Sequence, residues 1–170
     1  ARLQASLNAP FFRPYASDDV AGVALGGAAK NVYAIACGVV EGLGLGENAR
    51  AALLARSFAE LARLGEALGA RRETLMGLSG LGDLVLTATS KSSRNFSFGV
   101  ALGQGKPLTE LAAPGRPLAE GVATAPALVK RARSEDVELP IAEAMADLLS
   151  GALPLGEAVT RLMTRRLTSE

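Results

Sequence analysis

The chain has 170 residues and a net charge of +1, and it contains one Cys, no His and no Trp. These counts exclude internal disulfides, catalytic triads that need His, and metal sites built from His or several Cys residues. The balanced charge and an aromatic content of 4% argue against a nucleic-acid partner, and a lone Cys fits a reducing cytoplasm.

The chain contains 32 Ala and 27 Leu but only two Ile residues. Because Ala and Leu are strong helix formers and β-branched residues favour strands, this composition predicts an all-α fold. The apolar spacing and the breaks predict seven to eight helices around one buried apolar helix, with no strand after residue 16. Catalysis in such a chain has to use Lys, Arg, carboxylate, amide or hydroxyl groups, or a cofactor.

The first 16 residues contain Phe11-Phe12-Arg13-Pro14-Tyr15, which reads as an extended segment. A single strand leaves both of its edges unpaired. We therefore expect these residues to pack as coil or to pair with a sheet outside this sequence.

The next segment predicts the central helix. Ser17-Asp18-Asp19 offers capping side chains, and residues 20–40 are almost all apolar. A run of this length also suits a membrane span, but Lys30 and Asn31 lie at its centre, where a charge is costly in a bilayer. We therefore predict a helix buried in a protein core and no membrane span.

The remaining helices are separated by Gly- or Pro-containing breaks. Gly42 to Gly46 forms the first break, and Asn48 is expected to cap the following helix, in which Glu60 falls outside the apolar face. The other predicted segments are 48–68, short pieces within 72–90, a helix from 95 to 103–105, a short helix after Pro107, a turn at 114–117, and helices over 120–133, 140–149 and 155–166.

Lys30 is the sharpest functional candidate. A Lys in the middle of an apolar helix is costly unless it is paired or faces a cavity. In a cavity it can serve as a general acid or base, whereas the structural alternative is a buried ion pair or a side chain that reaches the surface. Asn31 offers either a second polar contact or a cap for a neighbouring helix.

Ser92-Ser93-Arg94-Asn95 precedes an apolar helical run and forms the second candidate. Hydroxyl groups, a guanidinium and free backbone N–H groups at a helix N-terminus can hold a phosphate or a carboxylate. The alternative is an ordinary capped helix start with a solvated Arg.

A glycine-rich bend from Gly77 to Gly82 precedes Asp83 and Thr87. It does not match G-x-G-x-x-G and follows no predicted strand, so it is not a dinucleotide loop. Its glycines are expected to turn Asp83 and Thr87 inward, although an Asp in such a bend is more often a cap. Glu120 by itself would be a cap or a first-turn acid.

Together, five segments resemble the NAD(P)-dependent glycerol-3-phosphate dehydrogenases, and the bacterial form looks most similar. The segments are DVAGVALGGAAKN at 19–31, GLGLGENARA at 42–51, MGLSGLGDLVLTAT at 76–89, SRN at 93–95 and EGVAT at 120–124. Their order and spacing fit the family along nearly the whole chain.

The resemblance implies an N-terminal Rossmann domain followed by a helical substrate domain, as in enzymes similar to 6-phosphogluconate dehydrogenase. Residues 17–170 would be the helical domain, and residues 1–16 a remnant of the first domain or a linker. The implied activity interconverts sn-glycerol 3-phosphate and dihydroxyacetone phosphate with NAD or NADP and supplies glycerol phosphate for phospholipid synthesis in the cytoplasm.

The resemblance also implies roles for individual residues. Lys30 would be the general acid or base. The implied substrate contacts are Lys30, Asn31, Asp83, Thr87, Ser93, Arg94 and Asn95. The implied positions near the nucleotide are Arg94, Leu118 and Glu120, and no metal is implied.

The family's dinucleotide motif and the Lys that its Rossmann domain contributes near the phosphate do not occur in this sequence. Hydride transfer needs both domains, so the chain by itself is expected to be inactive. Two alternatives stay open: the substrate domain of another hydroxy-acid or sugar-acid dehydrogenase, and a non-catalytic helical module for binding or dimerisation. A homodimer is also an open alternative to packing within one chain.

Overall fold

The computed structural model describes residues 2–113, 115 and 118–163, and the side chains of all of these except 162 and 163. Within this part of the chain there are ten α-helices and one π-helical turn, and no β-strand. The helices are α1 (Arg2–Leu7), α2 (Val20–Gly42), α3 (Glu47–Ala67), α4 (Arg72–Met76), α5 (Asp83–Thr89), α6 (Arg94–Gly103), α7 (Leu108–Leu111), α8 (Glu120–Ser134), α9 (Pro140–Leu149) and α10 (Leu155–Met163). The π-helical turn (Leu78–Gly82) lies between α4 and α5. The predicted all-α class is confirmed. The ten described helices exceed the predicted seven to eight, because short helices such as α1 and α4 contain too few residues to show an apolar period.

Helix α2 is the centre of the fold, as predicted. It packs against α3, α5, α6, α8 and α9, and a continuous stretch from Asn31 to Val39 is buried. By length and composition α2 is also the one described helix that passes as a membrane span, but 61% of its apolar window is buried inside the domain. The hydrophobic core therefore forms around this helix rather than between two layers.

Asp19 caps α2 and joins its start to α4. Its Oδ1 accepts a hydrogen bond from the backbone N–H of Gly22 at 2.8 Å, and its Oδ2 accepts one from Arg71 N–H at 2.8 Å. These two N–H donors hold the pKa of Asp19 below its usual value. The predicted helix start at residues 17–19 is confirmed.

Helices α2 and α6 touch backbone to backbone through four glycines. Gly38 and Gly42 of α2 face Gly99 and Gly103 of α6. A Cβ at Gly38 or Gly99 would lie 2.1 Å from a backbone carbonyl oxygen of the opposite helix. Small residues four apart on both helices permit this approach, as in other closely packed helix pairs. The contact fixes the start of α6 beside the middle of α2.

Glu60 of α3 is buried, contrary to its expected position outside the apolar face. Its Oε1 accepts a hydrogen bond from Ile141 N–H at 2.7 Å, and its Oε2 accepts one from Ala142 N–H at 3.3 Å. The hydroxyl of Tyr33 donates to Oε2 at 3.3 Å. Helix α9 has no capping side chain of its own, so a carboxylate from another helix satisfies its first N–H groups.

Burial raises the pKa of Glu60 to about 7, although its three hydrogen bonds oppose the shift. Desolvation disfavours the charged carboxylate more than these donors stabilise it. The Glu60 carboxyl group therefore changes its charge near neutral pH in the folded domain.

Other differences from the sequence-based expectation are local. Residues 2–7 form the exposed helix α1, which the sequence pattern does not predict. The segment from Phe11 to Tyr15 forms no strand and is a turn followed by coil, which agrees with the coil alternative. Gly46, with φ of 86°, precedes α3 as its N-cap, and Asn48 lies inside the first turn. Of the predicted turn at 114–117, only Gly115 is described, and the end of the predicted helix 155–166 also lies outside the described residues.

Replacing Gly99 by Ala should destabilise the domain by about 3 kcal/mol, because the new Cβ meets a backbone carbonyl that cannot move without separating α2 from α6. Gly27→Ala is the matched control, since a Cβ there has nothing within 4 Å and Ala favours a helix. Urea unfolding measures the free energy of unfolding of both variants and of the parent. A Gly99→Ala variant as stable as the parent would contradict the close contact.

The Glu60 carboxyl should make stability depend on pH. In the unfolded chain it titrates near its ordinary value of 4.5, and in the folded chain near 7, so the folded state holds the proton more tightly. Its contribution to the free energy of unfolding is therefore fully present below about pH 4.5 and is lost as the pH rises through about 7. The total loss is about 3 kcal/mol.

Urea unfolding of the parent and of Glu60→Gln at several pH values measures this contribution as the difference between them. Glu66→Gln, an exposed Glu of the same helix, is the control and should keep the parental pH dependence. If the free energy of unfolding changes with pH in the same way in the parent and in Glu60→Gln, protonation of Glu60 is not linked to folding.

Candidate functional site

A cleft of about 460 Å³ opens beside the N-terminus of α6, between α2, α5 and α8. All the residues predicted for the site line it except Asp83 and Leu118. The lining residues from that set are Lys30, Asn31, Thr87, Ser93, Arg94, Asn95 and Glu120. The fold thus brings together side chains from four separate segments of the sequence.

Lys30 and Asp83 form an ion pair at the edge of the cleft. The Nζ of Lys30 donates to Oδ2 of Asp83, and Thr87 Oγ1 donates to the other carboxylate oxygen at 3.3 Å. The Lys30 side chain is only 22% exposed, so Asp83 provides the partner that a charge in this helix needs. Asp83 therefore contacts Lys30 although it does not itself line the cleft.

The glycine-rich bend sets the position of Asp83. The π-helical turn lies against α2 at Gly26, where a Cβ would come within 2.4 Å of the carbonyl oxygen of Ser79. Helix α5 begins directly after this turn with Asp83 as its first residue. The inward orientation predicted for Asp83 and Thr87 is what the structure shows.

Three amide and carboxylate side chains link α2, α6 and α8. Asn95 Nδ2 donates to Asn31 Oδ1 at 2.9 Å, and Asn95 Oδ1 accepts from Gly121 N–H at 2.9 Å. Asn31 Nδ2 in turn donates to Glu120 Oε2 at 3.3 Å. Both Asn side chains are buried, so this chain of hydrogen bonds holds the cleft walls at fixed positions.

The start of α6 has the features of an anion site. Ser93 caps the helix, its Oγ accepting from Phe96 N–H at 3.3 Å, and Ser92 lines the cleft beside it. Arg94 is 58% exposed and pairs with Glu120, with 3.1 Å between Nη2 and Oε1. A helix N-terminus together with a guanidinium can hold a phosphate or carboxylate.

Four lining residues lie outside that set: Gly27, Leu86, Ser90 and Ser92, of which Ser92 belongs to the candidate segment at 92–95. The signal for Leu86 and Ser90 was present in the helical period, because Asp83, Leu86, Thr87 and Ser90 recur at the spacing of one helix face. Leu118 does not line the cleft and is 67% exposed.

The described fold and cleft define a class: an all-helical domain that presents a paired Lys and a helix N-terminus in one cleft. Residues 19–160 match the family described as NAD-dependent glycerol-3-phosphate dehydrogenase C-terminus, and the chain belongs to that family. The resemblance seen in the sequence motifs is confirmed.

Individual relatives of known family support the same family membership. The NAD(P)+ glycerol-3-phosphate dehydrogenase of Novosphingobium aromaticivorans is 59% identical over 169 residues, which are 99% of this chain and 51% of that protein. The corresponding protein of Rhodospirillum rubrum is 60% identical over 159 residues, 94% of this chain and 46% of that protein. The chain spans about half the length of the curated relatives it matches.

Solved structures give the same family. The crystal structure of glycerol-3-phosphate dehydrogenase from Coxiella burnetii superposes with a TM-score of 0.91 and 41% identity, covering 96% of this chain and 50% of that one. The structure of the Saccharomyces cerevisiae enzyme superposes with a TM-score of 0.78 and 30% identity.

Removing the Asn95 amide should loosen the cleft walls. Asn95→Ala removes the buried hydrogen-bond partner of Asn31 Oδ1 and of Gly121 N–H. The loss should lower the free energy of unfolding by about 2 kcal/mol. Asn48→Ala is the control, since Asn48 is exposed and caps nothing, and it should change stability by less than about 0.5 kcal/mol. Denaturant unfolding compares the two, and equal effects would show that the Asn95 network does not stabilise the domain.

Proposed function

We propose that the chain is the substrate-binding half of an oxidoreductase that interconverts sn-glycerol 3-phosphate and dihydroxyacetone phosphate with NAD or NADP. One observation carries this proposal: a Lys paired with a carboxylate and an Arg at a helix N-terminus lie in the same cleft. The first group suits proton transfer and the second suits a phosphate. The names of the relatives support the same reaction.

Lys30 is the proposed catalytic acid and base. Reduction of a ketone adds hydride to carbon and a proton to oxygen, and the Lys30 ammonium donates that proton. In the reverse direction the Lys30 amine takes the proton of the hydroxyl group. One carboxylate oxygen of Asp83 holds the Lys30 ammonium at the cleft, and Thr87 donates a hydrogen bond to the other carboxylate oxygen of Asp83.

The proposed phosphate site is the start of α6. Arg94 supplies a guanidinium, and Ser92 and Ser93 lie beside it in the cleft wall. Asn31 and Asn95, which are hydrogen-bonded to each other, also line the cleft. A three-carbon phosphate ester can then place its reacting carbon near Lys30 while the first turn of α6 holds its charge.

The residues present fit only the reactive end of a nicotinamide cofactor. Arg94, Glu120 and Leu118 are all more than half exposed and are the proposed residues of this chain beside it. The described residues contain no strand and the sequence has no G-x-G-x-x-G, so the pyrophosphate needs a second domain. When bound, the nicotinamide supplies or accepts the hydride.

Location and assembly belong to the same proposal. We propose a cytoplasmic protein in which α2 is a core helix rather than a membrane span, because Lys30 and Asn31 at its middle both make hydrogen bonds within the domain. A small phosphorylated molecule is the proposed partner. We also propose that the protein forms a homodimer, which analytical ultracentrifugation would test by measuring the molecular mass in solution.

The test joins this chain to the N-terminal half of the Novosphingobium aromaticivorans relative. Lys30→Met should lower kcat at least about 100-fold with little change in KM, because proton transfer is lost while the phosphate site is kept. Lys106→Met, at an exposed Lys outside the cleft, is the control and should leave kcat unchanged.

The 170-residue chain by itself should not oxidise NADH with dihydroxyacetone phosphate. A panel that includes hydroxy acids and sugar acids separates the proposed substrate from that of other dehydrogenases. Full turnover by the Lys30→Met variant, or a preference for a hydroxy acid over glycerol 3-phosphate, would refute the proposal.

A further inference from the structure

We propose that Glu120 acts as a resident anion in the cleft, occupying the donors that a phosphate ester needs, so that it sets the affinity of the cleft for such ligands. This inference rests on the proposed function, because it concerns the same phosphate site. It assigns Glu120 a role in substrate affinity that is separate from contact with a nucleotide.

Both oxygens of the Glu120 carboxylate are held by cleft donors. Oε1 lies 3.1 Å from Arg94 Nη2, and Oε2 accepts from Asn31 Nδ2 at 3.3 Å. The carboxylate thus binds one charged and one neutral donor on two different helices. This is the pattern in which a bound phosphate or carboxylate would be held.

The charges of the cleft balance while Glu120 is in this position. Two cations, Lys30 and Arg94, belong to the site, and each is paired with a carboxylate, Asp83 or Glu120. The paired cleft therefore offers no excess positive charge to a phosphate dianion. An entering anion has to separate Glu120 from Arg94 or remain close to a like charge.

Glu120 is more exposed to solvent than Asp83. The Glu120 side chain is 51% exposed and the Asp83 side chain is 33% exposed. One donor to Asp83 is Thr87 of its own helix, whereas both donors to Glu120 come from other helices. An exposed ion pair is weak, so its separation is a small cost to a ligand. Glu120 therefore reduces phosphate affinity modestly without closing the site.

The experiment measures binding of sn-glycerol 3-phosphate to this chain joined to the N-terminal half of the Novosphingobium aromaticivorans relative, by NMR titration, with uncharged glycerol as a second probe. Glu120→Gln should bind glycerol 3-phosphate about fivefold more tightly and glycerol with unchanged affinity. Raising the salt concentration should reduce this gain, because screening weakens the charges involved. Glu157→Gln, an exposed Glu of α10 outside the cleft, makes the same change in net charge and should bind like the parent.

A double-mutant cycle tests whether the effect passes through Arg94. The gain from Glu120→Gln should be smaller in an Arg94→Gln background, because there is no guanidinium left to release. A purely structural role of Glu120 would alter the binding of glycerol and glycerol 3-phosphate alike, and would overturn the inference.

The remaining outcomes separate the two proposals. If the parent binds glycerol 3-phosphate and Glu120→Gln binds it equally or more weakly, the resident-anion role is wrong and the phosphate site stands. If neither protein binds glycerol 3-phosphate at millimolar concentrations, the phosphate site and the role of Glu120 are both wrong.

Discussion

The backbone contact between α2 and α6 is the constraint on which the rest of the structure depends. Gly38 meets Gly99 and, one turn later, Gly42 meets Gly103, so the two helices run in the same direction in a fixed register. Any larger side chain at these points would hold the backbones apart. Because of this register, the first turn of α6 lies beside the middle of α2, and its Asn95 reaches Asn31. The cleft is a consequence of how closely two helices pack.

Polar side chains inside this apolar domain are stabilised by hydrogen bonds and ion pairs with one another. The Lys30–Asp83 pair and the Asn31–Asn95 pair each join helices that are far apart in the sequence. Among the described residues, no buried side-chain nitrogen or oxygen lacks a hydrogen-bond partner. A polar cluster that is fully satisfied costs little stability and also fixes the relative positions of the helices that it joins. The same side chains therefore serve the packing of the domain and the chemistry of its cleft.

Features with local causes could be predicted from the sequence, and features made by distant contacts could not. The apolar run of α2 and the caps at Asp19 and Ser93 depend on neighbouring residues, and they occur as expected. Residue type and the family resemblance indicate the candidate side chains, but only the fold determines how they pair. The burial of Glu60 cannot be read from neighbouring residues, because its partner Ile141 is 81 positions away. No local pattern shows that α9 lacks a cap of its own.

Glu60 and Glu120 show how surroundings decide what a carboxylate does. Each accepts hydrogen bonds from donors outside its own helix, and each joins two or more helices. Glu60 is 3% exposed, and its donors are the N–H groups at the start of α9 and a buried Tyr, which no solute can reach. The donors of Glu120 face an open cleft, where an anion from solution can take its place. Since the chemistry of the two groups is the same, solvent access to their donors separates a structural carboxylate from one that a ligand displaces.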